Sequence, residues 1–345
     1  MAKKEKGGEF ETLIGTLNES CGDGAIALIG QWAKKNIPVI PTGAFSLDLA
    51  LGVGGIPRGR ITEIYGVEGC GKTTLCLHVV ANAQKDGGNA AFIDVEHALD
   101  MAYTKNLGVD LKRLAFSQPD SGEQALNLVV GLLKSNLLDV IVIDSVAALI
   151  TKAELEGEIG DMQMAPQARL LGQALKKITP LVGKSNTALI FINQLRSKIG
   201  AFMGDPNTTP GGRALKFFSS VRISMAKIQT LKDKEEKVGG LVEAKVLKNK
   251  VAAPYKVCQF EIYNGTGISA EASILDVATK LHIVEKGGAG LSFGDVKLGF
   301  KMMAIKLLAG NPNLQEEIKK KVMEKIAIAE EVPPDGSDAP EVQNK

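Results

Sequence analysis

Aromatic residues are scarce: the chain has one tryptophan, four tyrosines and eleven phenylalanines in 345 residues. That is too few for a sheet on which successive nucleic-acid bases stack, so any such contact must come from loops and basic side chains. Cysteine is scarcer still. Cys21, Cys70, Cys76 and Cys258 make no C-x-x-C pair and have no histidine at metal-ligand spacing, which argues for neither a disulfide framework nor a zinc site and suits a reducing cytoplasm. Neither sign of charge dominates, since 41 Lys and Arg face 39 Asp and Glu, so electrostatic binding must be local. Long apolar runs are missing too: the longest, Leu137 to Ile150, is interrupted by Asp139 and Asp144, and the charged start MAKKEKGGEF has no apolar region behind it. Neither a membrane span nor a secretory leader is expected.

What remains is the composition of a globular chain, 45% hydrophobic and 23% charged. At about 150 residues per domain, the length predicts two domains, or one with appendages. Phe10, Leu13, Ile14 and Leu17 form the stripe of an amphipathic helix, which must bury itself on its own core or on a neighbouring copy. Periodicity alone favours the former. From residue 60, β-rich runs alternate with helical segments. Ile61 to Tyr65 precedes a Gly-rich turn and a helix over 73–84; Ala91 to Asp94, Asp139 to Asp144 and Ala188 to Ile192 repeat the pattern, as buried parallel strands do. The expected fold is therefore α/β with a mostly parallel central sheet. After the turn Asn264-Gly265-Thr266-Gly267 a helix-rich segment begins, read as a small α+β C-terminal domain. The expected division is an N-terminal helical segment over 1–35, a core over 36–268, a small domain over 269–329 and a disordered acidic tail over 330–345.

The turn Gly66-Val67-Glu68-Gly69-Cys70-Gly71-Lys72-Thr73 matches G-x-x-x-x-G-K-[ST] between a strand and a helix, where a phosphate-binding loop has to be, and Thr74 continues it. Its backbone N–H groups and the helix N-terminus would hold phosphate oxygens. Lys72 would reach the β- and γ-phosphates, and Thr73 would hold Mg²⁺. Asp144 ends an apolar strand, from which a carboxylate can reach the metal's shell through water. Glu96 follows the strand ending at Asp94, where a base could polarise water, although a lone Glu is more often a solvated loop residue. Gln194 follows Ile192 at another strand's carboxyl end, where an amide can sense a γ-phosphate. Cys70 lies at a helix N-terminus beside Lys72, which favours a thiolate; the alternative, favoured here, is that it packs as a small apolar group, as Cys76 does.

These residues and their neighbours resemble the bacterial RecA recombinase family from about residue 10 to 330. The specific blocks are Glu63 to Gly66 leading into the loop, Phe92 to Asp100 (FIDVEHALD), Asp144 to Leu149 (DSVAAL), Glu154 to Asp161 (ELEGEIGD), Phe191 to Gln194 (FINQ) and Lys248 to Pro254 (KNKVAAP). The resemblance implies an ATP-dependent filament on single-stranded DNA that pairs it with homologous double-stranded DNA, exchanges strands and stimulates self-cleavage of SOS repressors of LexA type. It implies Glu96 as the base, Gln194 as the γ-phosphate sensor, Asp100 and Tyr103 as adenine contacts, and Lys248 and Lys250 as groups reaching the nucleotide of the adjoining subunit. Such trans lysines act as an arginine finger does. A site completed by two subunits shifts the N-terminal helix toward docking on a neighbour. A ring-forming motor related to replicative helicases and a non-catalytic ATP-binding scaffold are the competing readings; Lys72, Glu96 and Asp144 together argue against the scaffold.

The resemblance also places two mobile DNA loops, at Gly157 to Ala165 and Leu195 to Gly212. Met164 and Ile199 would wedge between base triplets, with Arg169, Lys176, Arg196, Lys198, Gly211, Gly212 and Arg213 near phosphates. Val67, Gly69 and Cys70 stand where the family usually has Pro, Ser and Ser, Phe202-Met203 reverses a common order, Arg213 replaces Asn, and Asn264 takes a usual Tyr position with Tyr263 beside it. Lys286, Lys297, Lys301 and Lys306 would either capture duplex DNA or form a solvated face.

Residues 280–325 hold nine Lys against five acids, whereas 330–345 hold five acids and one Lys. Deleting 330–345 should therefore strengthen binding to duplex DNA at low salt, with the gain fading as salt shortens the Debye length. A filter-binding titration of the two chains at several salt concentrations checks this, and equal affinities at low salt would contradict it.

Overall fold

The computed structural model describes residues 2–22, 25–28, 37–158, 166–197, 207–288 and 290–331. Chain contacts divide it into Met1–Pro38 and Val39–Lys345. The first unit carries helix α1 (Ala2–Cys21), which includes the expected stripe, with Phe10 and Leu13 about half exposed.

The second unit begins with β1 (Val39–Ile40), α2 (Phe45–Leu51) and β2 (Ile56–Pro57), then enters the alternating part. There β3 (Ile61–Gly66) leads into α3 (Lys72–Lys85), β4 (Ala90–Asp94) into α4 (Met101–Asn106), and β5 (Leu114–Ser117) into α5 (Gly122–Ser135). Next come β6 (Val140–Asp144), α6 (Lys152–Glu156), α7 (Pro166–Lys184) and β7 (Ala188–Gln194). Helix α6 starts at a capping box in which Thr151 and Glu154 exchange hydrogen bonds. A two-residue ladder, β8 (Arg196–Ser197) with β9 (Asn207–Thr208), lies within the segment that showed no strand pattern. It is followed by α8 (Ala214–Phe218), the long hairpin β10 (Val221–Asp233) and β11 (Glu236–Asn249), then β12 (Val257–Tyr263) and β13 (Gly267–Ile268).

The strands form one nine-stranded sheet in the order β13-β12-β11-β10-β3-β7-β6-β4-β5. From β10 to β5 every neighbour is parallel, and β11, β12 and β13 extend the sheet antiparallel. Strand β6 shows why the central strands read as unbroken apolar runs: Val140 and Val142 pack into one cluster with α3, and Ile141 and Ile143 into the other with α5 and α7. Both faces are covered, so only the strand ends are left for polar chemistry.

The C-terminal part has the α+β make-up expected of it. Between α9 (Ala270–Lys280) and α10 (Lys301–Ala309) lies a three-stranded antiparallel sheet of β14 (Glu285–Gly287), β15 (Gly290–Phe293) and β16 (Val296–Gly299), with α11 (Pro312–Glu331) after it. Ile274, Leu275, Phe293, Leu308 and Ile318 fill a third apolar cluster here. Helix α11 runs one residue past the expected start of the tail, and residues 332–345 lie outside the described residues. Among the described residues no helix is long and apolar enough to cross a membrane.

His78 ties helix α3 to the sheet's far edge: its Nε2 accepts the Ile268 N–H at 2.8 Å. Burial first, and Lys85 second, lower its pKa from 6.5 to about 4. The folded state therefore holds a neutral imidazole where the unfolded chain takes up a proton, so this contribution is complete above about pH 6.5 and is lost as pH falls toward 4. The displacement corresponds to roughly 3 kcal/mol across that window. His78→Gln keeps an acceptor that does not titrate, so its unfolding temperature should fall less than that of the wild type between pH 6.5 and 4.5. Parallel thermal melts test this, and identical slopes would assign the acid sensitivity elsewhere.

Candidate nucleotide-binding site

Four parallel strands deliver polar residues to one edge of the sheet. Gly66 of β3 pairs with Gln194 of β7, and Asp94 of β4 pairs with Asp144 of β6, so the carboxyl ends of all four share one edge, with Gly66 and Gln194 reaching two residues beyond the other pair. The turn after β3 bends over this edge before α3 begins. Gly71 caps α3 in a left-handed conformation, φ 91°, and a Cβ there would collide with the Ile262 side chain. Glycine is what lets the loop lie under β12.

A cleft of about 600 Å³ opens here, lined by Glu68 to Thr74, Glu96, Tyr103, Asp144 and Gln194 on the parallel side. Lys227, Gly239, Gly240, Val242 and Ile262 to Gly265 line it on the antiparallel side. Lys72 is largely buried, and its Nζ donates to the carbonyls of Val67 (2.8 Å) and Gly66 (3.2 Å). Gly66 and Val67 thus hold the ammonium and do not themselves line the cleft. Thr73 Oγ1 donates to Asp144 Oδ2 at 2.6 Å. Burial raises the Asp144 pKa to about 6; Thr73 lowers it, the charges of Glu96 and Asp94 raise it, and Lys72 lowers it. Glu96 Oε1 accepts both from the Ser145 hydroxyl and from Gln194 Nε2, the latter at 2.7 Å. The structure therefore brings Lys72, Thr73, Asp144, Glu96 and Gln194 together.

Tyr103 lines the cleft, with its hydroxyl 3.1 Å from Thr74 Oγ1. Asp100 begins the helix that carries Tyr103: its carboxylate caps α4 by accepting from the N–H groups of Ala102 and Tyr103. Tyr263 turns its hydroxyl to Glu261, and burial followed by that carboxylate raises its pKa. Asn264 beside it donates to the Lys237 carbonyl. Cys70 is buried in the apolar cluster of α3, and burial pushes its thiol up while Lys72 opposes this. That is the packing arrangement, and Cys76 shares it.

Lys248 and Lys250 do not line this cleft. Lys248 Nζ donates to the carbonyls of Lys216 (2.7 Å) and Phe217 (3.0 Å), and its pKa is lowered by burial and then by Lys250. Asn249 between them shapes the turn by accepting from the N–H groups of Val251 and Ala252. Arg169 and Lys176 are exposed two turns apart on α7. Gly211 and Gly212 have positive φ and pack on α7, where added Cβ atoms would meet Leu171 and Ala168. Arg213 follows at the start of α8, exposed, and Arg196 opens β8. Met164, Lys198 and Ile199 lie outside the described residues, as do 159–165 and 198–206. Lys301 is engaged by Glu261 (3.0 Å) and Asp276 (2.8 Å), whereas Lys286, Lys297 and Lys306 are exposed.

Sequence reasoning missed Ser145 and the wall from β10 to β12. Ser145 directly follows Asp144, yet only the pairing of β4 with β6 places it against Glu96.

A parallel sheet with a strand, a Gly-rich turn and a helix at its carboxyl edge, facing a carboxylate and an amide from other strands, defines a P-loop nucleotide-binding ATPase. The RecA N-terminal domain model matches residues 9–269 and the RecA C-terminal domain model residues 272–327. Protein RecA of Caldanaerobacter subterraneus subsp. tengcongensis is 51% identical over 330 residues, 95% of this chain and 96% of the relative. Protein RecA of Clostridium novyi is 51% identical over 322 residues (93% and 92%), and that of Streptomyces rimosus 51% over 329 (95% and 88%). The chain belongs to the RecA family, and is a DNA-dependent ATPase that forms filaments on single-stranded DNA, pairs it with homologous duplex and exchanges strands in recombinational repair.

Ser145 has no exposed surface, and its hydroxyl restrains Glu96. Losing one hydrogen bond to a charged group costs about 1.5–3 kcal/mol. Ser145→Ala should therefore lower kcat for ATP hydrolysis about tenfold or more while KM for ATP stays within about twofold. Steady-state kinetics on saturating single-stranded DNA checks the split, and an unchanged kcat would remove Ser145 from the site.

Proposed function

We propose that the cleft binds ATP with Mg²⁺, and that Glu96, Lys72 and Gln194 of one chain hydrolyse it with Lys248 and Lys250 of the next. The observation that carries this is the Gln194-to-Glu96 hydrogen bond, which joins an amide and a carboxylate from separate strands at one point of the cleft. Lys72 would move its ammonium from the loop carbonyls to the β- and γ-phosphate oxygens. Glu96 would accept the proton of the water that attacks the γ-phosphorus as the bridging oxygen leaves with ADP. Mg²⁺, when bound, neutralises charge on the β- and γ-phosphate oxygens. The Thr73 hydroxyl and Asp144 fit it, since they are already 2.6 Å apart and Asp144 is crowded by like charges. Among the described residues no three His, Cys, Asp or Glu side chains gather to hold a metal alone, so the cation would arrive with the phosphates. Tyr103 would pack on adenine, with Asp100 holding the first turn of its helix.

Gln194 ends β7 immediately before the segment 195–212, which supports a role in reporting the γ-phosphate to the DNA-binding side. Arg169, Arg196, Gly211, Gly212 and Arg213 would contact the DNA backbone there, with Lys176 further along α7. Met164, Lys198 and Ile199 would complete that surface. Helix α1 would dock on the adjoining copy. The filament would stimulate self-cleavage of a LexA-type repressor, in the cytoplasm and with no membrane partner.

Lys72→Ala should reduce DNA-dependent hydrolysis by on the order of 10²-fold or more. Electron microscopy with single-stranded DNA and a non-hydrolysable ATP analogue should show filaments for the wild type and few for this variant. Retained DNA-dependent hydrolysis in Lys72→Ala would move the active site elsewhere. Gln194→Ala should keep nucleotide binding and lose the nucleotide-dependent rise in DNA affinity, measured by fluorescence anisotropy. An undiminished rise would end the sensor reading.

A further inference from the structure

Strand β3 carries a fully buried carboxylate, Glu63, between the buried residues Thr62 and Ile64. A charge in that position is retained only if it is paired and hydrogen-bonded. Glu63 is both. Its Oε2 accepts from Arg222 Nε on β10 at 2.5 Å, and its Oε1 accepts from Asn193 Nδ2 on β7 at 3.1 Å. The guanidinium also stacks 4.6 Å from the centre of the Tyr65 ring, one strand position further along the same face.

Asn193 is the second buried polar group of this cluster, and every polar atom of its side chain is used. Nδ2 donates to Glu63 and to the Pro210 carbonyl (3.2 Å), and Oδ1 accepts the Gln194 N–H (3.0 Å). The amide thus clamps three things: the strand entering the phosphate loop, the backbone of the sensing glutamine, and the C-terminal root of the segment 195–212. The N-terminal root is held to the same strand, because Leu195 N donates to the Gly66 carbonyl (3.2 Å), which also accepts from Lys72. Pro210 leads directly into Gly211 and Gly212, which pack on α7 beside Arg169.

On the other side of Glu63 the sheet register sets Arg222 opposite Lys248 on β11, so Glu63, Arg222 and Lys248 form one row across three strands. The buried charge therefore touches elements on both functional sides of the chain. Polar side chains in a core cost more than apolar ones of equal size, and fully satisfied networks of this kind specify one arrangement of the elements they join.

We propose that Asn193, held by Glu63, is the positioning residue that ties the Gln194 backbone to the root of the DNA-binding segment, so that displacement of the glutamine by nucleotide is passed to the DNA side. The proposal rests on Gln194 being the nucleotide sensor. Asn193 does not line the cleft, so it acts through Gln194 and Pro210 and touches no phosphate.

The experiment measures single-stranded DNA affinity with and without a non-hydrolysable ATP analogue, alongside nucleotide affinity without DNA and thermal melting. Asn193→Asp sets two carboxylates together, and Asn193→Ser is neutral but cannot span Glu63 and Pro210. Both should cut the nucleotide-dependent gain in DNA affinity by about tenfold while nucleotide affinity stays within about twofold. The double variant Glu63→Gln with Asn193→Asp rebuilds the pairing between these two residues but supplies no N–H for the Pro210 carbonyl, so its melting temperature should recover relative to Asn193→Asp while the gain stays lost, which separates the tie to Pro210 from mere structural damage. A folded Asn193→Ser or Asn193→Asp with the full gain overturns the relay if Gln194→Ala has lost it. If Gln194→Ala keeps the gain as well, the sensor reading fails and the relay fails with it. Full recovery of the gain in the double variant also counts against the relay.

Discussion

Strands buried on both faces have nowhere along their length to put a polar group cheaply. In this sheet β3, β4, β6 and β7 are covered by α3 on one side and by α5 and α7 on the other, so their chemistry collects at their carboxyl ends. The parallel register then brings Gly66, Asp94, Asp144 and Gln194 to one edge without any long-range design of loops. Inside the covered region Thr62 is buried too, and Glu63 and Asn193 are the acid and the amide there. Each meets the cost of burial by pairing with the other and with a third element, and that is why they connect elements that the apolar packing alone would leave independent.

The antiparallel half of the sheet solves a different problem. Beyond β10, β11 starts beside the cleft and runs away from it while β12 returns to it, and their backbone supplies its second wall through Gly239, Gly240 and the turn Asn264-Gly265. The same strands end, at the opposite extreme of β11, in the turn that carries Lys248 and Lys250. One hairpin therefore forms part of the chain's own nucleotide wall and presents lysines away from it, which suits a subunit that serves two nucleotides at once.

The core and the phosphate loop were legible because their signals are local. A strand of β-branched residues, eight positions of a glycine-rich turn and a helix are contiguous in the chain, and the polar residue ending each apolar run marks a strand terminus. The Glu96–Ser145 and Glu63–Asn193 contacts were not legible, because they depend on which strands are neighbours and in what register. The individual strands of the α+β C-terminal part were not legible for a related reason. Strands β14 to β16 are only three or four residues long and are separated by glycine-containing turns, too short to show alternation against the helical stripes on either side. The ladder of Arg196–Ser197 with Asn207–Thr208 is shorter again. Asp100 was assigned from the resemblance; that its carboxylate also caps α4 follows from an Asp standing directly before a helix.

The charge balance of the cleft gives the assembly its physical sense. Asp94, Asp144 and Glu96 are close enough that the last and first raise the proton affinity of the middle one, and Lys72 is the only lysine among the causes that lower it. A triphosphate adds further negative charge to the same space. Lys227 lines the opposite wall, but the parallel edge offers no second cation to the phosphates among the residues lining it. On the proposed reading, a divalent cation held by Thr73 and Asp144 would answer part of the excess, and Lys248 and Lys250 of an adjoining chain would answer the part nearest the γ-phosphate. In the low dielectric of a closed interface those charges would act more strongly than in water. The transition state for phosphoryl transfer would then be stabilised best with the neighbour in place, which would make hydrolysis a property of the filament.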